Sequence, residues 1–248
     1  MTDIASQTTS ATDEARPPCC FVSHAWAGGG HSFALALCAE LGRRRVVPWV
    51  DEEQVLPGSL VEHSCRDGVL RKCEVFVALV GAAWIASQSC QDELQCALER
   101  RESDGLPIIP VHWERDVQLV PALAGICYIR LTDPSDSAGV DRLARAIRRG
   151  ALVSRFVHAL RASPLGQRHE AAQMLSRMAE PSTLPCLCHS LTKDDDPLTR
   201  YWSAIAVGSI GTPLGCAALR NAAKTETHLF VREGIQVALE RGCRDENT

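Results

Sequence analysis

The chain has 248 residues, 46% hydrophobic and 23% charged, an ordinary globular composition with room for one or two domains. Its formal net charge of −4 offers no pull toward nucleic acid or anionic lipid, so neither is an expected partner. No apolar run reaches the roughly 18 residues that a bilayer span needs, so no membrane association is expected. In chain order, residues 1–18 are rich in Thr, Ser and Ala and lack the basic start and apolar stretch of a signal peptide. They are expected to form a disordered tail. Five short segments then read as strands: Cys20–Ser23, Val46–Val50, Val75–Val80, Ile108–His112 and Ile126–Leu131. Each is nearly continuous in apolar character, as strands covered on both faces of a parallel sheet are.

Between the strands lie amphipathic stretches. Phe33, Leu37 and Leu41 fall four apart, Leu94, Ala97 and Leu98 mark a second stripe, and Leu143 with Ile147 a third. This alternation predicts a doubly wound α/β domain over residues 19–150. In such sheets the functional crevice opens at the carboxyl ends of the strands, which singles out the loops after Ser23, Val50 and Val80. Past residue 150 every segment reads as helix, and a repeat appears. Arg168, Arg200 and Arg232 are spaced evenly, each opening a stretch of small and apolar residues, and Pro181 with Pro213 and Leu187 with Leu219 keep the same offset. Residues 151–248 are therefore expected to stack as paired helices, with Ala172, Leu175, Ala204, Val207 and Ile210 facing their core. The 12 cysteines contain no Cys-x-x-Cys pair. Without an export signal they predict reduced thiols in a cytoplasmic protein and no structural metal.

Three motifs carry chemistry. Phe21-Val-Ser-His-Ala-Trp-Ala-Gly-Gly-Gly30 is a strand running into a glycine-rich loop ahead of a helix, a place where backbone amides approach phosphate. It does not complete a dinucleotide fingerprint, because the third glycine position holds Phe33. Trp49-Val-Asp51 ends a strand on an acid, and the loop that follows closes on Pro57-Gly58, a turn signal. Ser87-Gln-Ser89-Cys90-Gln-Asp92-Glu93-Leu94 has the form of a helix start. Ser89 with Asp92 fits a capping box, which sets Glu93 near the positive helix end and favours its ionised form. Alone, the glycine loop is equally a flexible turn, the acidic loop a solvated loop, and Glu93 a helix former.

Taken in order, a strand ending Phe-Val-Ser-His, then Asp-x-x-x-x-Leu-Pro-Gly, then Ser-x-Ser-Cys-x-x-Glu-Leu, then Ile-Ile-Pro-Val resembles the TIR domain family over residues 19–150. The region after it resembles HEAT repeats. The resemblance implies a flavodoxin-like five-stranded parallel sheet followed by an all-α repeat domain. It implies that Glu93 is the catalytic carboxylate of an NAD⁺-cleaving enzyme, with NAD⁺ as substrate and no separate cofactor. Ser23, His24, Trp26 and Asp51 would line the pocket. Many members carry Trp where this chain has Ser89, and Trp84 stands where members often have Tyr, as a possible replacement. Pro57 and Gly58 belong to the loop that completes a neighbour's pocket, so homo-oligomers through the TIR domain are implied, with the helical repeat free to meet a sensor or partner protein. The implied role is a prokaryotic antiphage effector. The competing expectation is a non-enzymatic adaptor that signals by self-association.

Overall fold

The computed structural model describes residues 16–50, 73–117 and 120–243. The expected tail lies outside these residues up to position 15, but its last part is held. Arg16 pairs with Glu74 at 2.5 Å, and the Val47 N–H donates to the Pro18 carbonyl. From there the chain runs β1 (Cys19–Ser23), α1 (Gly30–Arg43), β2 (Val47–Trp49), β3 (Val75–Val80), α2 (Ala82–Ala86), α3 (Gln88–Asp104), β4 (Ile108–His112), a 3₁₀ turn and β5 (Ile129–Arg130). A 26-residue helix, α4 (Ser137–Ala162), follows. Up to Arg100 and from Leu106 to Leu152 the described residues form one compact unit; Arg101–Gly105 and those from Val153 onward form a second. No helix among the described residues is long and apolar enough to cross a membrane.

The first unit holds a five-stranded sheet, order β2-β1-β3-β4-β5, with all pairs parallel. Each expected strand forms, though β2 and β5 are shorter than their apolar runs. Pleating divides the side chains between two layers. Cys20, Val22, Val75, Val77 and Leu79 face α1 and α4. Phe21, Phe76, Ala78 and Val80 pack with Trp84, Leu94 and Ala97 of α2 and α3. Ser23 is two residues from Phe21 and so shares the α2–α3 side. Gly150 does not break the chain. It lies inside α4, where a Cβ would sit 3.0 Å from Val75 and 3.1 Å from Pro107, so the glycine is there for close packing.

The second unit is a helical stack whose register follows the sequence repeat. α5 (Leu165–Met178), α7 (Pro197–Ile210) and α9 (Leu229–Gly242) are each 14 residues long, with Arg168, Arg200 and Arg232 at the same position in each. Between them lie α6 (Leu184–Lys193) and α8 (Pro213–Thr225). Ala172, Leu175, Ala204 and Val207 are buried, and Ile210 packs at the edge of the same core. The repeat also has an electrostatic counterpart. Arg168 pairs with Asp194 at 3.0 Å and also with Asp195, while Arg200 pairs with Glu226 at 2.9 Å. In both pairs an arginine of one helix meets an acid just before the next equivalent helix. One expectation fails: the cysteines are not all free thiols. Cys216 and Cys243 form a disulfide, which ties α8 to the end of α9 because the repeat brings their Cα atoms to 5.6 Å. Sequence spacing carries no sign of that approach. The buried cysteines Cys20, Cys73, Cys90 and Cys186 behave as small hydrophobes; burial pushes the Cys186 thiol up to about 11.

Candidate functional site

In this sheet order the chain leaves β1 to one side and returns for β3 on the other. That makes the carboxyl ends of β1 and β3 the topological switch point, the place at which ligands bind in open α/β sheets. Ser23 is the last residue of β1, and the turn after β3 leads into α2 and α3. The Glu114 side chain holds the start of that turn, accepting the Ala82 N–H at 2.9 Å.

Glu93 stands in the second turn of α3 and is partly buried. The Ser23 hydroxyl donates to its Oε2 at 2.6 Å, a short charge-assisted bond. Ser23 Oγ in turn accepts from the Trp84 indole N–H at 2.8 Å. Trp84 and Ser23 are each 1% exposed, so the indole N–H has to find a partner inside the protein. Because the indole occupies a lone pair of the hydroxyl, the hydroxyl proton is left to point at the carboxylate. The three residues thus form a directed chain from the core to Glu93. Cys90, also buried, brings its thiol to the His24 carbonyl at 3.4 Å and fastens α3 to the end of β1.

The helix start differs from the expected one. α3 begins at Gln88, and Ser87 is its cap: the Ser87 hydroxyl accepts the Cys90 N–H at 3.4 Å, and its carbonyl accepts from Gln91. Ser89 is therefore an exposed residue of the first turn and not the cap. Ser-x-Ser offers two hydroxyls at compatible spacing, and burial of Cys90 selects the register. Trp84 is also not the replacement aromatic surface, since it is buried with its polar edge spent on Ser23.

His24 is buried and Trp26 is 57% exposed. Between them stands a residue that belongs to none of the three sequence motifs. His31, in the first turn of α1, lies with Nδ1 2.9 Å from His24 Nε2 and stacks on the Trp26 ring at a centroid separation of 4.8 Å. The loop that brings these rings together needs its glycines. Gly29 has φ +84°, and a Cβ on Gly30 would lie 2.6 Å from the Ala25 carbonyl. At the end of β4, His112 is buried against Tyr128; burial, with Arg130 nearby, lowers its pKa. Asp51, Pro57 and Gly58 lie outside the described residues.

A family model described as TIR domain matches residues 20–144, and one described as HEAT repeats matches residues 153–240. No curated protein matches the chain. With the five-stranded parallel sheet and the helices that follow it, these matches settle the family: the chain belongs to the TIR domain family and carries HEAT repeats after that domain.

Proposed function

We propose that the TIR domain cleaves the nicotinamide–ribose bond of NAD⁺, with Glu93 as the catalytic carboxylate. The observation that supports this most is the Ser23–Glu93 hydrogen bond at the switch point, which holds one carboxylate there. The family includes NAD⁺-cleaving enzymes, and the chemistry suits a single acid. Glycosidases need a general acid because their leaving group is poor. Nicotinamide departs with the bonding electron pair as a neutral base, so its departure needs no proton. What needs help is the positive charge that grows on the ribose, and an oriented carboxylate stabilises it. Attack by water, with loss of its proton, gives ADP-ribose; attack by the adenine or a ribose hydroxyl gives a cyclic product. NAD⁺ enters as substrate, and the reading requires no cofactor.

Assembly belongs to the same proposal. A TIR domain that completes its pocket with a neighbour's loop, here the one ending Pro57-Gly58, stays quiet when dilute, which protects a cytoplasm from losing its NAD⁺. This suits an immune effector that is switched on by oligomerisation. One observation favours a different reading: Ser89 is exposed where many members place an aromatic ring, as an adaptor without nucleotide chemistry could tolerate.

Nicotinamide release by the purified chain decides between the two. Glu93→Gln keeps the size and loses the charge, and is expected to lower release at least about a hundredfold with the melting temperature little changed. Wild-type turnover in that variant removes Glu93 from the mechanism. No release by the wild type at any concentration, with self-association intact, selects the adaptor.

A further inference from the structure

The aromatic contact that Ser89 cannot make has another candidate just beyond β1. Trp84 is 1% exposed and its N–H is committed to Ser23. Trp113 is half-buried against Phe33. Trp26 is the exposed indole among the described residues, at 57%. An indole left this open in a free loop would gain little from a ligand, because ordering it on binding costs side-chain entropy. This one is already ordered. His31 lies parallel to it, with an interplanar angle of 0°, and His31 is itself held by His24. The His24 Nδ1 lies 3.3 Å from the Val22 carbonyl, which can only accept. In a neutral His24 ring the proton then sits on Nδ1, and Nε2 accepts the His31 Nδ1–H. A buried strand end thereby fixes the plane of an exposed ring.

We infer that Trp26, with its plane set by His31, is the platform on which a planar heteroaromatic ring of the dinucleotide stacks. This rests on the NAD⁺-cleaving reading. Reach allows it: Trp26 is three residues beyond Ser23, whose hydroxyl touches Glu93, so their Cα atoms are at most about 11 Å apart, less than the span of a dinucleotide. His31 is then a positioning residue for binding, and it has no part in the bond cleavage. The stacking ring is either adenine or nicotinamide, and both present the same flat π-face.

The test uses the full chain with Glu93→Gln, so that ligand is not consumed. Tryptophan fluorescence is titrated with ADP-ribose, which carries only the adenine, and with nicotinamide mononucleotide, which carries only the other ring. The ligand that quenches identifies the ring. Trp26→Ala is expected to abolish that quench although the other tryptophans remain, and to weaken binding about tenfold or more. His31→Ala should weaken binding by a similar factor, and His31→Phe, which restores a stacked ring but not the hydrogen bond that holds it, should recover part of it. In the otherwise wild-type chain, Trp26→Ala should raise KM for NAD⁺ far more than it lowers kcat. Unchanged KM in a chain that still releases nicotinamide overturns the platform and leaves Glu93's role standing. Unchanged binding in His31→Ala overturns the positioning role. Failure of NAD⁺ and both probes to bind removes the platform and the NAD⁺ reading together.

Discussion

Ser23 connects the buried core to the candidate chemistry. Its hydroxyl accepts from Trp84 at 2.8 Å and donates to Glu93 at 2.6 Å, so the two neighbours depend on it differently. Ser23→Ala leaves the indole N–H buried without a partner and is expected to destabilise the fold by about 1–3 kcal/mol. Trp84→Phe removes the donor instead and leaves the hydroxyl bonded to Glu93, so its cost is that of the core volume lost and not that of an unpaired polar group. The double variant removes both ends of the bond, and part of the Ser23→Ala loss should return. Urea denaturation of the four proteins checks this. Strict additivity would mean that the indole finds another partner when Ser23 is lost. On the proposed reading Ser23→Ala also lowers nicotinamide release, because the carboxylate loses the hydroxyl that orients it, whereas Trp84→Phe, which keeps that bond, lowers it less.

At the scale of the element, the repeat helices are started by different devices at equivalent positions. α5 follows Pro164 without a side-chain cap, whereas α7 follows Asp196, whose carboxylate accepts from the Leu198 and Thr199 N–H groups. Thr199 adds its hydroxyl at 2.6 Å. Burial works to raise the Asp196 pKa, but the bonds from Thr199 and Leu198 outweigh it and hold the carboxyl below its ordinary value of 3.8. A depressed folded-state pKa contributes stability that is fully present above the unfolded value and is lost as pH falls through the folded one. Asp196→Ala is therefore expected to cost about 1–2 kcal/mol at neutral pH, a difference that shrinks below about pH 4. Asp196→Asn keeps a capping oxygen and should lose little at neutral pH. Thermal melts of the three proteins between pH 7 and pH 3 measure this, and a pH-independent gap between wild type and Asp196→Ala would place the effect outside the cap.

At the scale of the molecule, the helical stack has an outer face of a different character from its inner ones. On α7, Tyr201, Ala204 and Gly208 pack toward α9, and Gly234 of α9 lies directly under the Tyr201 ring. One repeat later the equivalent residues are Glu233, Gln236 and Glu240, all exposed. Apart from Leu229, exposed at the start of the same helix, this face is polar, and it argues for placing the proposed self-association in the TIR domain. Specific activity is accordingly expected to rise with protein concentration. Pro57→Ala combined with Gly58→Ala should lower activity and self-association together, as read by turnover assays and sedimentation on the same samples. Full, concentration-independent turnover by a demonstrated monomer would refute assembly and leave Glu93 untouched.

Local pattern was enough for the sheet and the stack. Apolar runs such as Val75–Val80 are buried on both sides and so have one reading, and the arginine spacing reflects a repeated contact, since Arg168 and Arg200 each meet an acid before the next equivalent helix. The family was legible because its motifs occur in a fixed order along the chain, and two of those motifs supply Ser23 and Glu93, which the fold brings into hydrogen-bond contact. What the sequence left open depends on contacts between residues far apart in it. α3 is capped two residues before the position its sequence predicts, because Ser87 and Ser89 are both able caps and only the burial of Cys90 chooses between them. Trp84 read as a candidate ligand surface and is a core residue, since exposure is a property of packing and not of residue type. His31 carried no signal at all: its position on the ring of Trp26 follows from a glycine loop that folds back on Ala25. Cys216 and Cys243 looked like two of many thiols until the turn between α8 and α9 brought them together. Composition and periodicity fix which face of an element is buried, but a site is made where several elements end, and only the tertiary structure decides which ends meet.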